Sequence, residues 1–263
     1  MIVQLGLVLL LWQGLLAESD VFGGDTRIVG GQDAPDKFSM YQVSIRKHQN
    51  NSEWHTCGGS VIHREWVLTA SHCTYGIDAK ALSIVVGAFT LRSGGDRYTV
   101  KKIINHEKYV ERYLKNDIAL IKIDGHIKMK WNVRAIKLRK EPVVAGTTCA
   151  FTGWGKTDNH GTVPNYLQAM LLESISNKDC KKQLRGSNFL PIDDKQLCMR
   201  APSEEGACSG DSGGPLVAYN GKKKSFVQVG VLSLEPFPCA NNYPHVFASV
   251  SGYYDWIAIN MKD

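Results

Sequence analysis

The sequence lacks the motifs that metal enzymes use to hold an ion. The 263-residue chain contains no His-Glu-x-x-His segment and no closely spaced cysteine pair, and its eight histidines are scattered along the chain. We therefore predict a protein with no metal site and no cofactor.

Long apolar runs are almost absent, and the one that occurs lies at the beginning. Residues 1–17 are mostly apolar, are interrupted by Gln4 and Gln13, and end on Ala17 before polar residues. An apolar segment followed by a small residue favours a secretory signal peptide, although no basic side chain precedes it; a retained signal anchor is the alternative. No later stretch is long and apolar enough to span a bilayer. We predict a secreted, extracellular protein with no membrane partner.

The chain has seven cysteines, so they cannot all be paired within one chain. In a secreted protein this number predicts disulfide bonds and one cysteine left over.

The formal charge of +6 is partly concentrated in two basic stretches, residues 128–140 and 222–224. We interpret them as solvated loops in preference to a site for polyanions, and we predict no nucleic-acid partner.

The most informative stretch is Gly-Asp-Ser-Gly-Gly-Pro at residues 210–215. A serine flanked by glycines suits a tight turn that exposes a hydroxyl and aims backbone N–H groups at a substrate oxygen. Taken alone, the stretch also fits a solvated glycine-rich turn. Ser212 is the candidate nucleophile.

A nucleophilic serine needs a base and a third group that orients the base. His72 follows the apolar run at residues 66–68 and precedes Cys73, and Asp117 opens the apolar run at residues 118–120. Each residue alone has an ordinary alternative, a structural histidine or an aspartate in a turn. The order His, Asp, Ser is one of the few in which this catalytic group recurs.

In these stretches the chain resembles the trypsin and chymotrypsin family of serine endopeptidases, from Ile28 to its end. The matching segments are Arg-Ile-Val-Gly-Gly at 27–31, Thr-Ala-Ser-His-Cys at 69–73, Asn-Asp-Ile-Ala-Leu at 116–120, Thr-Gly-Trp-Gly at 152–155 and residues 210–215. The resemblance implies the family's roles, with His72 as general base, Asp117 as its orienting acid, and the N–H groups of Gly210 and Ser212 as the oxyanion hole. It also implies protein or peptide substrates and protein inhibitors, and we expect a monomer. A secreted homologue without activity is the alternative.

The pattern of the chain itself favours an all-β protein. Short runs rich in β-formers recur at residues 41–45, 84–86, 98–100 and 226–232, between clusters of glycine, asparagine, aspartate and proline. One helix is predicted over about residues 251–260, with Tyr254, Trp256, Ile257 and Ile259 on its apolar side. The resemblance adds two six-stranded Greek-key β-barrels with the active site between them, divided near residues 135–148.

The resemblance further implies a zymogen. A trypsin-like protease would cut after Arg27, which releases residues 18–27 and leaves residues 28–263 as the protease domain. The new ammonium of Ile28 would enter a pocket and pair with Asp211, and a buried charge is tolerable only in such a pair. The same resemblance pairs Cys57 with Cys73, Cys180 with Cys198 and Cys208 with Cys239, and leaves Cys149 as a buried free thiol.

The substrate pocket predicted by the resemblance departs from that of trypsin. Its residues are Gly206, Ala207, Ser233, Leu234, Glu235 and His245. Gly206 occupies the base, where trypsin-like enzymes have an aspartate, so cleavage after Lys or Arg is disfavoured. The pocket and cysteine pattern are most similar to arthropod chymotrypsins, which favour large apolar residues. The bulk of Glu235 and His245 leaves open an elastase-like or narrow specificity, and a protonated His245 would favour an acidic residue.

Overall fold

The computed structural model describes residues 32–50, 52–157, 160–185, 192–201, 206–236, 238–239 and 243–262. The predicted signal peptide and propeptide, together with Arg27 and Ile28, lie outside the described residues.

The described residues form fourteen strands and three α-helices, joined by turns and short 3₁₀ segments. The strands are β1 Gln32–Asp33, β2 Gln42–Gln49, β3 Ser52–Val61, β4 Trp66–Thr69, β5 Leu82–Val86, β6 Asp96–Asn105, β7 Ala119–Ile123, β8 Lys137–Leu138, β9 Thr148–Gly153, β10 Gln168–Ile175, β11 Gln196–Arg200, β12 Pro215–Asn220, β13 Ser225–Leu234 and β14 His245–Ser249. The helices are α1 Asp36–Ser39, α2 Asn177–Gln183 and α3 Val250–Asn260. All four strand-like runs predicted from the sequence lie within or overlap strands (β2, β5, β6 and β13).

The strands close into two six-stranded antiparallel barrels, so the predicted all-β fold is confirmed. The first barrel has the order β2-β3-β4-β7-β6-β5, and β5 returns to β2. The second has the order β9-β10-β11-β14-β13-β12, and β12 returns to β9. The two barrels therefore share one strand order. The short strands β1 and β8 add to the outside of the second barrel, on β10 and β13.

Each barrel encloses its own apolar interior. Residues of the first interior include Val43, Ile45, Ile84 and Ile121. Residues of the second include Phe151, Met170, Leu216, Val229 and Phe247. Successive side chains of a strand point to opposite faces, so one face of each strand fills the barrel. β-branched and aromatic residues fit such half-buried surfaces well, which explains why these runs were recognisable in the sequence.

Helix α3 lies where the sequence predicts a helix, and of the four residues on its predicted apolar side only Ile257 is fully buried. Val250, Tyr253 and Ile257 are buried against the core of the first barrel, whereas Ile259 is 63% exposed. Positions three and four residues apart share a helix face, so residues 250, 253 and 257 form one stripe and Ile259 falls on another side. The sequence interpretation grouped the apolar residues of the segment without testing that spacing.

Three disulfide bonds link segments of the described chain. They join Cys57 to Cys73, Cys180 to Cys198, and Cys208 to Cys239, the pairs that the resemblance implies. Cys149 is a buried free cysteine, and burial raises the pKa of its thiol to about 12. The thiolate is the reactive form, so this cysteine is inert at neutral pH.

No helix in the described part of the chain is long and apolar enough to cross a membrane.

The three candidate catalytic residues lie on loops that meet between the barrels. His72 is in a 3₁₀ turn at Ser71–Cys73 after β4, Asp117 lies just before β7, and Ser212 lies just before β12.

Candidate active site

His72 and Asp117, which are 45 residues apart in the chain, are joined by two hydrogen bonds. The ring Nδ1 of His72 donates to Asp117 Oδ2 at 2.7 Å, and the backbone N–H of His72 donates to Asp117 Oδ1 at 2.8 Å. A third donor, Ser233 Oγ, lies 2.6 Å from Oδ2. Asp117 is buried, and these bonds compensate for the loss of water around its charge. The arrangement fixes the proton of the imidazole on Nδ1 and leaves Nε2 as the basic nitrogen.

The position of Asp117 is set by its neighbour Asn116, which adopts a left-handed conformation with φ of 55°. Asparagine tolerates this region better than most residues do. Its side-chain amide donates to the carbonyl of Lys108 at 2.7 Å and accepts from the hydroxyl of Tyr253, in helix α3, at 3.2 Å. The C-terminal helix thus helps to hold the loop that carries the acid.

The turn that carries Ser212 is clamped between the two barrels. The carbonyl of Ser212 accepts from the N–H of Gly58, in β3, at 2.8 Å, and the N–H of Gly213 donates to the carbonyl of Leu232, in β13, at 2.8 Å. Gly210 has φ of 104°, a conformation that residues with a side chain rarely adopt. These contacts hold the serine at the junction of both barrels.

The backbone N–H groups of Gly210 and Ser212 have no hydrogen-bond acceptor among the residues that the structure describes. Unpaired donors beside the candidate nucleophile are suited to a substrate oxygen.

His55 supports the same turn, and the sequence interpretation missed it. Its Nδ1 lies 2.8 Å from Ser44 Oγ, and its Nε2 donates to the carbonyl of Gly210 at 2.9 Å. Burial lowers the pKa of His55 to about 4, so the ring stays neutral and keeps this donor-and-acceptor arrangement. Its position two residues before a disulfide cysteine, Cys57, was the one available signal in the sequence.

The hydroxyl of Ser212 donates to the carboxylate of Glu235, at 3.0 Å to Oε1 and 3.2 Å to Oε2. No hydrogen bond joins Ser212 to His72 within the described part of the chain. The Nε2 of His72 instead lies 3.6 Å from Cys73 Sγ. Of the predicted groups, the structure therefore brings His72 and Asp117 into direct contact and places Ser212 against a predicted pocket residue.

Electrostatic interactions couple these groups. Burial on its own would lower the pKa of His72, but the negative charges of Asp117 and Glu235 outweigh that effect and raise it. Burial raises the pKa of Glu235, while His72 and the Ser212 hydroxyl act in the opposite direction. An imidazolium on His72 and a carboxylate on Glu235 stabilise each other, so Glu235 raises the pKa of His72 and His72 lowers the pKa of Glu235.

Asp211, the predicted partner of Ile28, is completely enclosed. Its two carboxylate oxygens accept from the N–H of Gly155 at 2.8 Å and from the N–H of Cys208 at 2.9 Å. A Cβ at Gly155 would lie 2.3 Å from this carboxyl group, so only glycine leaves the room. Burial raises the pKa of Asp211 to about 7, because two N–H donors compensate only part of the desolvation of the charge.

The remaining predicted pocket residues lie on the second barrel near this turn. Gly206 and Ala207 are buried beside the Cys208–Cys239 disulfide, and Leu234 pairs with Val246 in the ladder between β13 and β14. His245 is buried, and neither of its ring nitrogens has a hydrogen-bond partner among the described residues. Burial lowers the pKa of His245 to about 4, so this ring is neutral at neutral pH.

The nitrogen of His72 and the sulfurs of Cys57 and Cys73 cluster closely enough to suggest a metal site. The two sulfurs are joined in a disulfide, however, and so cannot bind a metal as thiolates. We interpret the cluster as a structural brace for the histidine loop.

Comparison with known proteins gives one consistent result. A family model described as Trypsin matches residues 28–257. Trypsin epsilon of Drosophila erecta is 37% identical over 235 residues, which cover 89% of this chain and 87% of the relative. Chymotrypsin-2 of Vespa crabro is 38% identical over 234 residues, or 89% of this chain and 99% of the relative. Granzyme M of Homo sapiens is 33% identical over 255 residues, or 95% and 94%.

Proposed function

Since the chain belongs to the trypsin family of serine endopeptidases, we propose that it cleaves peptide bonds through an acyl intermediate on Ser212. The observation that carries this proposal is the 2.7 Å hydrogen bond between His72 Nδ1 and the buried carboxylate of Asp117. The fixed imidazole of His72, the hydroxyl of Ser212 and two unpaired N–H groups supply a base, a nucleophile and an oxyanion site.

In the proposed reaction Ser212 Oγ attacks the scissile carbonyl carbon and its proton passes to His72 Nε2. The C–N bond then breaks, and His72 returns the proton to the departing amine. A water molecule then attacks the acyl carbon by the same steps, which releases the carboxylic acid product and restores the hydroxyl of Ser212. Asp117 stabilises the imidazolium that forms in each half of the reaction. The N–H groups of Gly210 and Ser212 stabilise the oxyanion by about 3 kcal/mol per donor.

We place the substrate backbone antiparallel to residues 233–235, with its P1 residue beside Ser233. Ser233 is a bulge residue, because the ladder between β13 and β14 pairs Leu232 with Phe247 and then Leu234 with Val246. The strand thus has one paired side and, at this bulge, a side open to the cleft. Addition of a peptide strand gives affinity independent of sequence, so the pocket must supply the preference at P1.

For P1 we propose a large apolar residue, as in a chymotrypsin-like enzyme. At the base of the pocket Gly206 provides no carboxylate for a basic side chain, and a neutral His245 provides no cation for an acidic one. A buried charge without a partner costs several kcal/mol, so both classes of charged residue are disfavoured. The position of Glu235 over Ser212 supports a second candidate, an elastase-like preference for smaller apolar residues.

The protein is proposed to be secreted as a zymogen. Cleavage after Arg27 would allow the Ile28 ammonium to reach Asp211, whose enclosed carboxylate lacks a cationic partner among the described residues. We further propose that a trypsin-like protease activates the zymogen and that the enzyme is a monomer. Protein inhibitors would add to residues 233–235 as a substrate does.

The test is a scan of P1 in a diverse peptide library, with the chain cleaved after Arg27 and the Ile28 terminus verified by sequencing. We expect dominant cleavage after Phe, Tyr or Leu. Dominant cleavage after Ala or Val would select the elastase-like candidate, and dominant cleavage after Lys or Arg would refute the pocket assignment. A Glu235→Gly variant that gains activity on Phe and Trp would identify that side chain as the limit on P1 size.

A further inference from the structure

The Glu235 carboxylate is in contact with two donors that a substrate also needs. One is the hydroxyl of Ser212, at 3.0 and 3.2 Å. The other is the backbone N–H of Glu235 itself, which lowers the pKa of that carboxyl group. The residue is only partly exposed, and burial desolvates its charge. In this structure the hydroxyl of Ser212 is therefore bonded to a carboxylate and not to His72.

Substrate binding in the proposed mode removes both donors from Glu235. The hydroxyl of Ser212 must turn to His72 to react, and the N–H of Glu235 must donate to the carbonyl of the added peptide strand. A desolvated carboxylate that loses its donors is strongly destabilised. The other ionisable groups that act on Glu235 or respond to it are His72, Asp117 and Asp211. Of these, Asp117 and Asp211 are acidic, and His72 is engaged with the proton of Ser212.

A cationic side chain on the substrate would replace the lost donors. In an antiparallel pair, residues directly opposite each other carry their side chains on the same face, about 5 Å apart. With P1 beside Ser233, the substrate residue opposite Glu235 is P3. A lysine or arginine at P3 brings several N–H donors to the displaced carboxylate.

We propose that Glu235 is a selectivity gate, which covers Ser212 in the free enzyme and is drawn off the nucleophile by substrates with Lys or Arg at P3. This inference rests on the proposed function, because it requires Ser212 as nucleophile and residues 233–235 as the substrate-binding strand. Peptides with an apolar P1 and a basic P3 are then the preferred class. Peptides with an acidic P3 are the poorest, since they place two carboxylates face to face.

The experiment compares the activated wild type with Glu235→Gln, Glu235→Gly and a control, Glu173→Gln. Glu173 is an exposed acid on β10, so the control removes the same charge away from the cleft. Two peptides that share a leucine at P1 and differ only in Lys or Met at P3 give the ratio of kcat/KM. The burst of nitrophenol from p-nitrophenyl acetate measures acylation by a small neutral ester. In that step Ser212 Oγ bonds to the acetyl carbon, the ester bond to nitrophenolate breaks, and the proton passes to His72.

We expect the wild type and Glu173→Gln to prefer Lys over Met at P3 by at least about tenfold, as close charge pairs at interfaces allow. In Glu235→Gln the preference should fall to about twofold or less, and in Glu235→Gly the burst rate should rise by about fivefold or more. Thermal unfolding of each variant verifies that it is folded.

Equal P3 preference in the wild type and Glu235→Gln, or an unchanged burst rate in Glu235→Gly, would overturn the gate. A wild type that shows a normal burst with no P3 preference would remove the gate alone and leave Ser212 as the nucleophile. The absence of both burst and cleavage in the correctly processed wild type would refute the proposed function and the gate together.

Discussion

The carboxylate of Asp117 accepts three hydrogen bonds, and at the scale of single residues this explains the orientation of His72. The donors are the ring and the backbone of His72 and the hydroxyl of Ser233. A carboxylate with three donors cannot rotate without losing one of them. The imidazole is therefore held in the tautomer that has a basic Nε2.

Replacement of Asp117 by asparagine tests this orientation. We expect kcat to fall by roughly 10⁴-fold, a magnitude taken from well-studied members of the same family, because the amide NH₂ would favour the wrong tautomer. Ser233→Ala removes one of the three donors and should cost far less. The measurement is kcat on a good apolar-P1 peptide, and a loss below about tenfold in Asp117→Asn would show that the orientation of His72 does not depend on this carboxylate.

The charge of Glu235 should be visible in the pH dependence of catalysis. Asp117 and Glu235 both raise the pKa of His72, and the unprotonated ring is the form that acts as base. Removing one negative charge in Glu235→Gln lowers that pKa, so the acid limb of the kcat/KM profile should move to lower pH. A limb that stays in place or moves to higher pH would contradict the electrostatic coupling.

Residue identities and residue contacts differed in how well they could be predicted. His72, Asp117 and Ser212 stand in distinctive local sequences, so the family pattern identifies them. The bond between Ser212 and Glu235 depends on the direction that the chain takes after β13, which no local pattern encodes. His55 was missed because its role depends on a carbonyl 155 residues away.

At the scale of secondary structure elements, helix α3 connects the core to the loop that carries Asp117. Val250, Tyr253 and Ile257 pack on the first barrel, and Tyr253 bonds to Asn116, next to the proposed catalytic acid. The existence of this helix was predictable from its composition. Its buried face was not, because several apolar residues compete and only packing against the barrel decides between them.

Two matched substitutions in α3 test the observed face. Ile257→Ala creates a cavity in the core and should lower the free energy of unfolding by about 2–5 kcal/mol. Ile259→Ala, at a position 63% exposed, should change it by about 0.5 kcal/mol or less. Urea unfolding of the uncleaved chain measures both. A larger loss for Ile259→Ala would restore the face first predicted from the sequence.

At the scale of the whole molecule, the two barrels meet at the turn of residues 210–215, and Asp211 lies inside that junction. Its pKa of about 7 exceeds its ordinary value of 3.8. Between these two values the folded chain keeps a proton that the unfolded chain has lost. Stability therefore falls as pH rises from about 4 to about 7, and the penalty is fully present above pH 7.

Activation should remove this penalty. In Arg27→Gln, which stays uncleaved, we expect the melting temperature to fall between pH 5 and pH 8. In the cleaved wild type the Ile28 ammonium would pair with Asp211 and lower its pKa, so the fall should be smaller, since most other groups titrate alike in both forms. An equal fall in melting temperature between pH 5 and pH 8 in both forms would indicate that Ile28 and Asp211 do not pair.

The proposed reaction depends on Ser212 as the nucleophile, and covalent labelling tests this role directly. The chain cleaved after Arg27 is treated with a fluorophosphonate, digested, and analysed by mass spectrometry, with Ser212→Ala and the uncleaved Arg27→Gln variant alongside. We predict a single adduct on Ser212 in the cleaved wild type, none in Ser212→Ala, and much slower labelling in Arg27→Gln. A correctly cleaved wild type that carries no adduct, or carries it on another serine, would contradict the account.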